Sequence, residues 1–125
     1  MTMNPSAEAT DSARELDDPT AAVCLFRSLA DSTRLAIVAH LALGEHKVVE
    51  LTQHLGLAQS TVSAHLACLR DCGLVTLRPV GRASMYSLAR PELMDLLAAT
   101  ERLLAATGSA VRLCPIYGAE GSAAQ

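Results

Sequence analysis

The sequence predicts a mainly α-helical chain with a small β-hairpin, arranged as a winged helix-turn-helix. Three observations point there. Half of the 125 residues are hydrophobic, yet only Phe26, Tyr86 and Tyr117 are aromatic, a composition that favours Leu-, Ala- and Val-packed helices over a β-sandwich. Apolar residues recur at helical spacing between capping residues and glycine stops. Between residues 75 and 88 the pattern changes to alternation, as a hairpin requires.

Each element has its own reason. Residues 1–18 are polar and acidic, and predict a disordered tail. A first helix is expected from about Pro19 to Ala30, with Val23, Phe26, Leu29 and Ala30 on one side and the proline in its first turn. In "DSTRLAIVAHLALGE", Asp31 or Ser32 supplies a cap, Leu35, Ile37, Val38 and Leu41 an apolar face, and Gly44 a stop. "KVVELTQHLGL" is a short helix that ends at Gly56. "AQSTVSAHLACLRDCGLV" follows, with Val62, Leu66 and Leu69 spaced i, i+4, i+7 and Gly73 closing it. A short helix, a tight turn and a second helix with a buried stripe make a helix-turn-helix. Ala58, at the start of this helix, has no side chain that can cap it.

The wing is expected from Val75 to Leu88, turning through Pro79-Val80-Gly81-Arg82. "RPELMDLLAATERLLAAT" is a last helix with Pro91 early in it and Gly108 after it. Its leucines, 93, 96, 97, 103 and 104, form an apolar band too broad for a small monomer, which predicts a partner helix. Residues 19–108 therefore form one domain, and 109–125 a C-terminal segment ending in a loose tail.

The net charge of −3 is unevenly spread. The first 20 residues hold Glu8, Asp11, Glu15, Asp17 and Asp18 against Arg14 alone. From His46 to Arg90, Lys47 and four arginines stand against Glu50 and Asp71, a net of +3 over the candidate reading head. No apolar run of about 18 residues is present, so no membrane span is expected. The acidic start has no apolar core of a secretory signal, which predicts a cytoplasmic chain with reduced thiols. No nucleophile–base pair, phosphate loop or cofactor motif points to an enzyme. Cys68 and Cys72, if helical, have Cβ atoms about 5–6 Å apart, too far for a disulfide at roughly 3.8 Å.

The segments "LADSTRLAIV", "LTQHLGLAQSTVSAHLACLRDCGLV" and "GRASMYSLA", in that order, resemble the ArsR/SmtB family of metal-responsive repressors over roughly residues 24–107. The resemblance implies a homodimer joined by its first and last helices, with the two reading helices in successive major grooves of double-stranded operator DNA. It implies that metal releases the DNA. Gln59, Ser60, Thr61, Ser63 and His65 are then candidates for bases and phosphates at the helix start. Ala64 lets the backbone approach, Arg70 reaches toward the DNA backbone, and Arg78 and Arg82 flank the wing. Many members of the family have Ser at the position of Ala58, where it caps the helix, so Gln59 or Ser60 has to compensate here.

The resemblance also guides the metal reading. The first helix of the motif, "KVVELTQHL", lacks the cysteine pair some members use, and the last helix lacks the histidines others use. "HLACLRDCGLV" is similar to the CmtR-type cadmium and lead sensors. That likeness implies Cys68 and Cys72 as ligands, joined by Cys114 from the C-terminal segment, with Cd(II) or Pb(II) as inducer. Soft thiolates prefer such ions to Mg(II) or Ca(II). As(III) and Zn(II) rank lower, a structural zinc usually taking four ligands. Cys24 reads as core or interface, and His40, His46 and His54 show no metal spacing. Two other readings stay open: a thiol redox or arsenite sensor on the same fold, and an interaction module that does not bind DNA.

Overall fold

The computed structural model describes residues 16–113. The predicted acidic tail lies almost wholly outside them, as do Cys114 and the loose end. Five helices and a three-stranded sheet follow in the order α1 (Thr20–Leu29), α2 (Ser32–Leu41), β1 (His46–Lys47), α3 (Val48–Leu55), α4 (Gln59–Asp71), β2 (Val75–Val80), β3 (Ala83–Leu88) and α5 (Glu92–Ala106). The winged helix-turn-helix architecture is present, with α3 and α4 as the motif and β2–β3 as the wing.

The caps act locally. Asp31 takes the N-cap of α2, and its carboxylate accepts from the Arg34 backbone N–H at 2.9 Å. That bond holds the carboxyl below its ordinary range. Gly56, at φ 66°, ends α3 in the left-handed conformation that glycine adopts without strain. At the start of α4, Ala58 is the N-cap and no side chain bonds there. The expected compensation by Gln59 or Ser60 is not made. First-turn N–H groups without a side-chain cap are open to water or an anion.

Two features depart from the sequence reading. First, β1 adds a third strand, giving the antiparallel order β1-β3-β2, with His46 opposite Tyr86 and Lys47 opposite Met85. Second, the wing's turn is tighter than expected. Pro79 and Val80 stay in β2, opposite Ser84 and Ala83, so only Gly81 and Arg82 make the turn. β2 is an edge strand, where a proline lacking its N–H costs no ladder bond on the open side.

The core collects one stripe from each helix. Ile37, Val38, Leu51, Val62, Leu66 and Leu69 are fully buried. Leu29, Leu74, Val75, Leu93 and Leu97 pack with them. The stripe of α4 that faces this core fixes which of its residues face outward, and thereby builds the site.

Candidate functional site: the reading helix and its thiol pocket

With Val62, Leu66 and Leu69 turned inward, Gln59, Ser60, Thr61, Ser63, Ala64 and Arg70 are exposed on the other side of α4, and His65 is half-buried. Arg78 and Arg82 are exposed on the wing. Arg82 and Gln59 line one shallow pocket together with Lys47 and Tyr86, so the wing and the start of α4 share one surface. Arg78 is not idle in this arrangement. Its guanidinium donates to both carboxylate oxygens of Glu45, each at 2.8 Å, which lowers the Glu45 pKa and raises that of Arg78. A phosphate contact by Arg78 has to exchange this exposed pair, a cheap step at a wet surface.

Cys68 and Cys72 stand at the far end of the same helix. Cys68 is in its last turns. Cys72 is the C-cap, its N–H donating to the Cys68 carbonyl at 3.3 Å. Gly73 (φ 75°) and Leu74 then return hydrogen bonds to the Arg70 and Leu69 carbonyls, a Schellman closure. Of the two readings of Cys24, core or interface, the core one is not met. The residue is exposed in the single chain, and its Sγ lies 2.6 Å from Cys72 Sγ. The sequence separation of 48 residues hides this neighbour, and helical spacing within α4 cannot show it.

Cys24, Cys68 and Cys72 line a single pocket of about 810 Å³ between α1 and α4, with Arg27, Arg34 and Asp71 also on its walls. Ala64, one of the candidate DNA residues, lines it too. The buried Ser28 hydroxyl sits 2.7 Å from Cys72 Sγ and 2.9 Å from the Cys24 carbonyl oxygen. The hydrogen bond with Cys72 raises the Cys24 thiol pKa, and desolvation and the charges of Cys72 and Cys68 add to it. Three thiols around an open pocket form a donor set suited to a soft ion. Among the described residues, no three His, Cys, Asp or Glu side chains are already grouped to hold a metal. Cys114 lies outside the described residues. The chain leads toward it along α5, where the Leu113 N–H donates to Glu101 Oε2 at 2.6 Å.

The histidines without sequence spacing also come together. The rings of His40, His46 and His54 have centroids 5.1–6.2 Å apart. Burial, and then repulsion from His54 and His46, lowers the His40 pKa.

Residues 31–76 match the family described as "Bacterial regulatory protein, arsR family". Over 103 residues the chain is 37% identical to a probable mercury resistance operon repressor of Streptomyces lividans, covering 82% of each. The chain belongs to the arsR family. This arsR-family chain is a transcriptional regulator, as its relatives are, and not an enzyme. Two solved structures match its fold. The cadmium metal-sensor CMTR from Mycobacterium tuberculosis is 44% identical, with a TM-score of 0.54 over 62% of this chain and 80% of that one. The homodimeric winged helix-turn-helix domain Mb0332 from Mycobacterium bovis is 26% identical, with a TM-score of 0.62 over 82% and 87%. No helix among the described residues is long and apolar enough to cross a membrane.

Proposed function

We propose that this regulator binds operator DNA as a metal-free homodimer and is released by a thiophilic heavy-metal ion, Cd(II) or Pb(II), held by cysteine thiolates. The ligands are Cys68 and Cys72 on the reading helix, Cys114 from the C-terminal segment, and Cys24 as a further donor beside Cys72. One observation carries the reading: thiols from α1 and from the reading helix face one pocket, two of them 2.6 Å apart. Two related proteins are named for mercury and cadmium, both soft ions that thiolates favour.

Release follows from where the thiols sit. Gln59 to His65 meet the DNA at one end of α4, and Cys68 and Cys72 occupy the other. An ion shared by these thiolates supplies a crosslink between α4 and its neighbours. Thiolates drawn to a common point fix the tilt of α4 against α1, and a dimer tolerates little tilt, because two reading helices must meet grooves about 34 Å apart. Metal and DNA then weaken each other's binding by the same factor, a coupling of about 1–3 kcal/mol in ordinary cases.

The test is operator binding with and without Cd(II) under reducing conditions. Cys68→Ser and Cys72→Ser should hold the operator as the parent does but resist release. Mutants that release normally would show that the ligands lie elsewhere. The same 2.6 Å contact favours a second reading, in which one peroxide molecule oxidises the two thiols to a Cys24–Cys72 disulfide with loss of two waters. Peroxide release that is reversed by dithiothreitol, with no response to Cd(II), would select it.

A further inference from the structure

Arg34 touches both halves of this site and so far has no role in it. Its Nε donates to the Ser28 carbonyl at 2.5 Å, its Nη2 to the Arg27 carbonyl at 3.1 Å, and its Nη1 lies 3.1 Å from His65 Nδ1. Arg27 and Ser28 belong to the last turn of α1, and the Arg27 carbonyl, which also accepts from the Ala30 N–H at 3.2 Å, has a second lone pair for the guanidinium. His65 lies mid-way along the reading helix.

Arginine has five donors and no acceptor. The contact with Nδ1 is a hydrogen bond only if that nitrogen carries a lone pair, so the ring proton belongs on Nε2. We propose that Arg34 is a positioning residue with two effects. It fixes His65 as the Nε2–H tautomer, a donor for a phosphate oxygen or a base acceptor such as guanine O6 or N7. It also ties the reading helix to the end of α1, so that strain at the thiol pocket reaches the DNA face. The second effect rests on the metal reading above.

The wiring is short. Ser28 is 2% exposed and serves both sites at once. Its hydroxyl bonds at Cys72 and Cys24, and its carbonyl anchors Arg34. A shift of α1 enforced at Cys24 moves the two carbonyls on which the guanidinium rests. The guanidinium is planar with a fixed fork, so it passes the shift on, where a lysine ammonium would swivel. Asp31 holds the backbone of Arg34 in place at the α2 cap.

The experiment uses the full-length protein. Long-range proton–nitrogen NMR of the imidazoles, without metal, should show His65 protonated at Nε2. In Arg34→Lys that preference should weaken, while His40, His46 and His54 keep their signals. A wild-type His65 protonated at Nδ1, or no change in the variant, overturns the local assignment. Operator titrations with and without Cd(II) test the link. Arg34→Lys should bind Cd(II) with unchanged thiolate absorption, while the ratio of operator affinities shrinks by about fivefold or more. An unchanged ratio overturns the link.

Two further variants separate contact from coupling and do not depend on Arg34→Lys folding. His65→Asn keeps an acceptor near the Nδ1 position but not the distal donor, so it should lose operator affinity yet keep the Cd(II) ratio. His65→Leu should lose both, and equal ratios in the two would refute the link. If the wild type shows no Cd(II) release at all, the metal reading fails, and the tautomer measurement still decides the local role.

Discussion

At the residue scale, Cys24 carries the clearest consequence. A thiol whose pKa is raised keeps its proton over a wider pH range, and a metal ion held there, as proposed above, would have to displace that proton. Metal affinity should therefore rise steeply with pH, and Cys24→Ser should flatten that rise while leaving operator binding intact. Competition titrations with a chelator at several pH values check it, and a pH-independent affinity would contradict it. His40 gives a stability prediction of definite sign. Its pKa is lowered from 6.5 in the fold by burial and by two neighbouring imidazoles. The unfolded chain thus takes up the proton first, and stability should fall as pH drops from about 6.5 through the folded-state value, then level off. His40→Asn should remove most of that slope in urea titrations at successive pH values. Neither neighbourhood could be read from the chain. Cys24 meets Cys72, and His40 meets His46 and His54, only because separate elements pack. A pattern search along one helix sees none of these pairs. Cys68 and Cys72 were legible because they are four residues apart on one helix.

At the element scale, legibility follows from length and period. The helix α4 is plain in the sequence because Val62, Leu66 and Leu69 repeat over about two turns, and all three are fully buried. The strand β1 is not, because two residues have no period, and His46-Lys47 becomes a strand only by pairing with Tyr86 and Met85. The sequence predicts a wider wing turn than the one found, because proline usually marks a turn. Here Pro79 is accommodated by the sheet's open edge, and Gly81 at φ 62° supplies the bend. The buried stripe also aims the reading face, so damage to it should appear in both stability and function. Leu66→Ala leaves a cavity in the core under α4 and should cost about 2–5 kcal/mol. Urea unfolding measures the loss. A cost under about 1 kcal/mol would mean that the stripe is not the anchor of α4.

At the scale of the whole molecule, the described residues leave an apolar surface uncovered. Between α1 and α5 an apolar groove of about 500 Å³ is lined by Phe26, Leu29, Leu35, Leu96, Leu103 and Leu113, among others. Phe26 is 58% and Leu103 65% exposed, while their neighbours Leu29 and Leu97 are buried. Water contact over such a contiguous patch is costly, at roughly 25 cal/mol for each Å² left uncovered. A second copy meeting it with the same two helices would cover both patches at once, by the self-complementarity of a twofold interface. The family supplies a homodimeric example of the fold in Mb0332. On the proposed function, the two faces of the molecule would divide the work: α1 and α5 would set the distance between the two α4 helices, and α4 with the wing would meet the DNA. Phe26→Glu or Leu103→Glu places a charge in the seam, while both positions are exposed enough for the single chain to keep its fold. The expected outcome is a monomer at micromolar concentration by analytical ultracentrifugation, with an unchanged helical circular dichroism spectrum. Operator affinity should fall by at least about a hundredfold, because the second half-site no longer binds as part of the same molecule. A variant that stays dimeric, or a monomer that binds the operator as tightly as the parent, would separate the apolar groove from assembly and from DNA recognition alike.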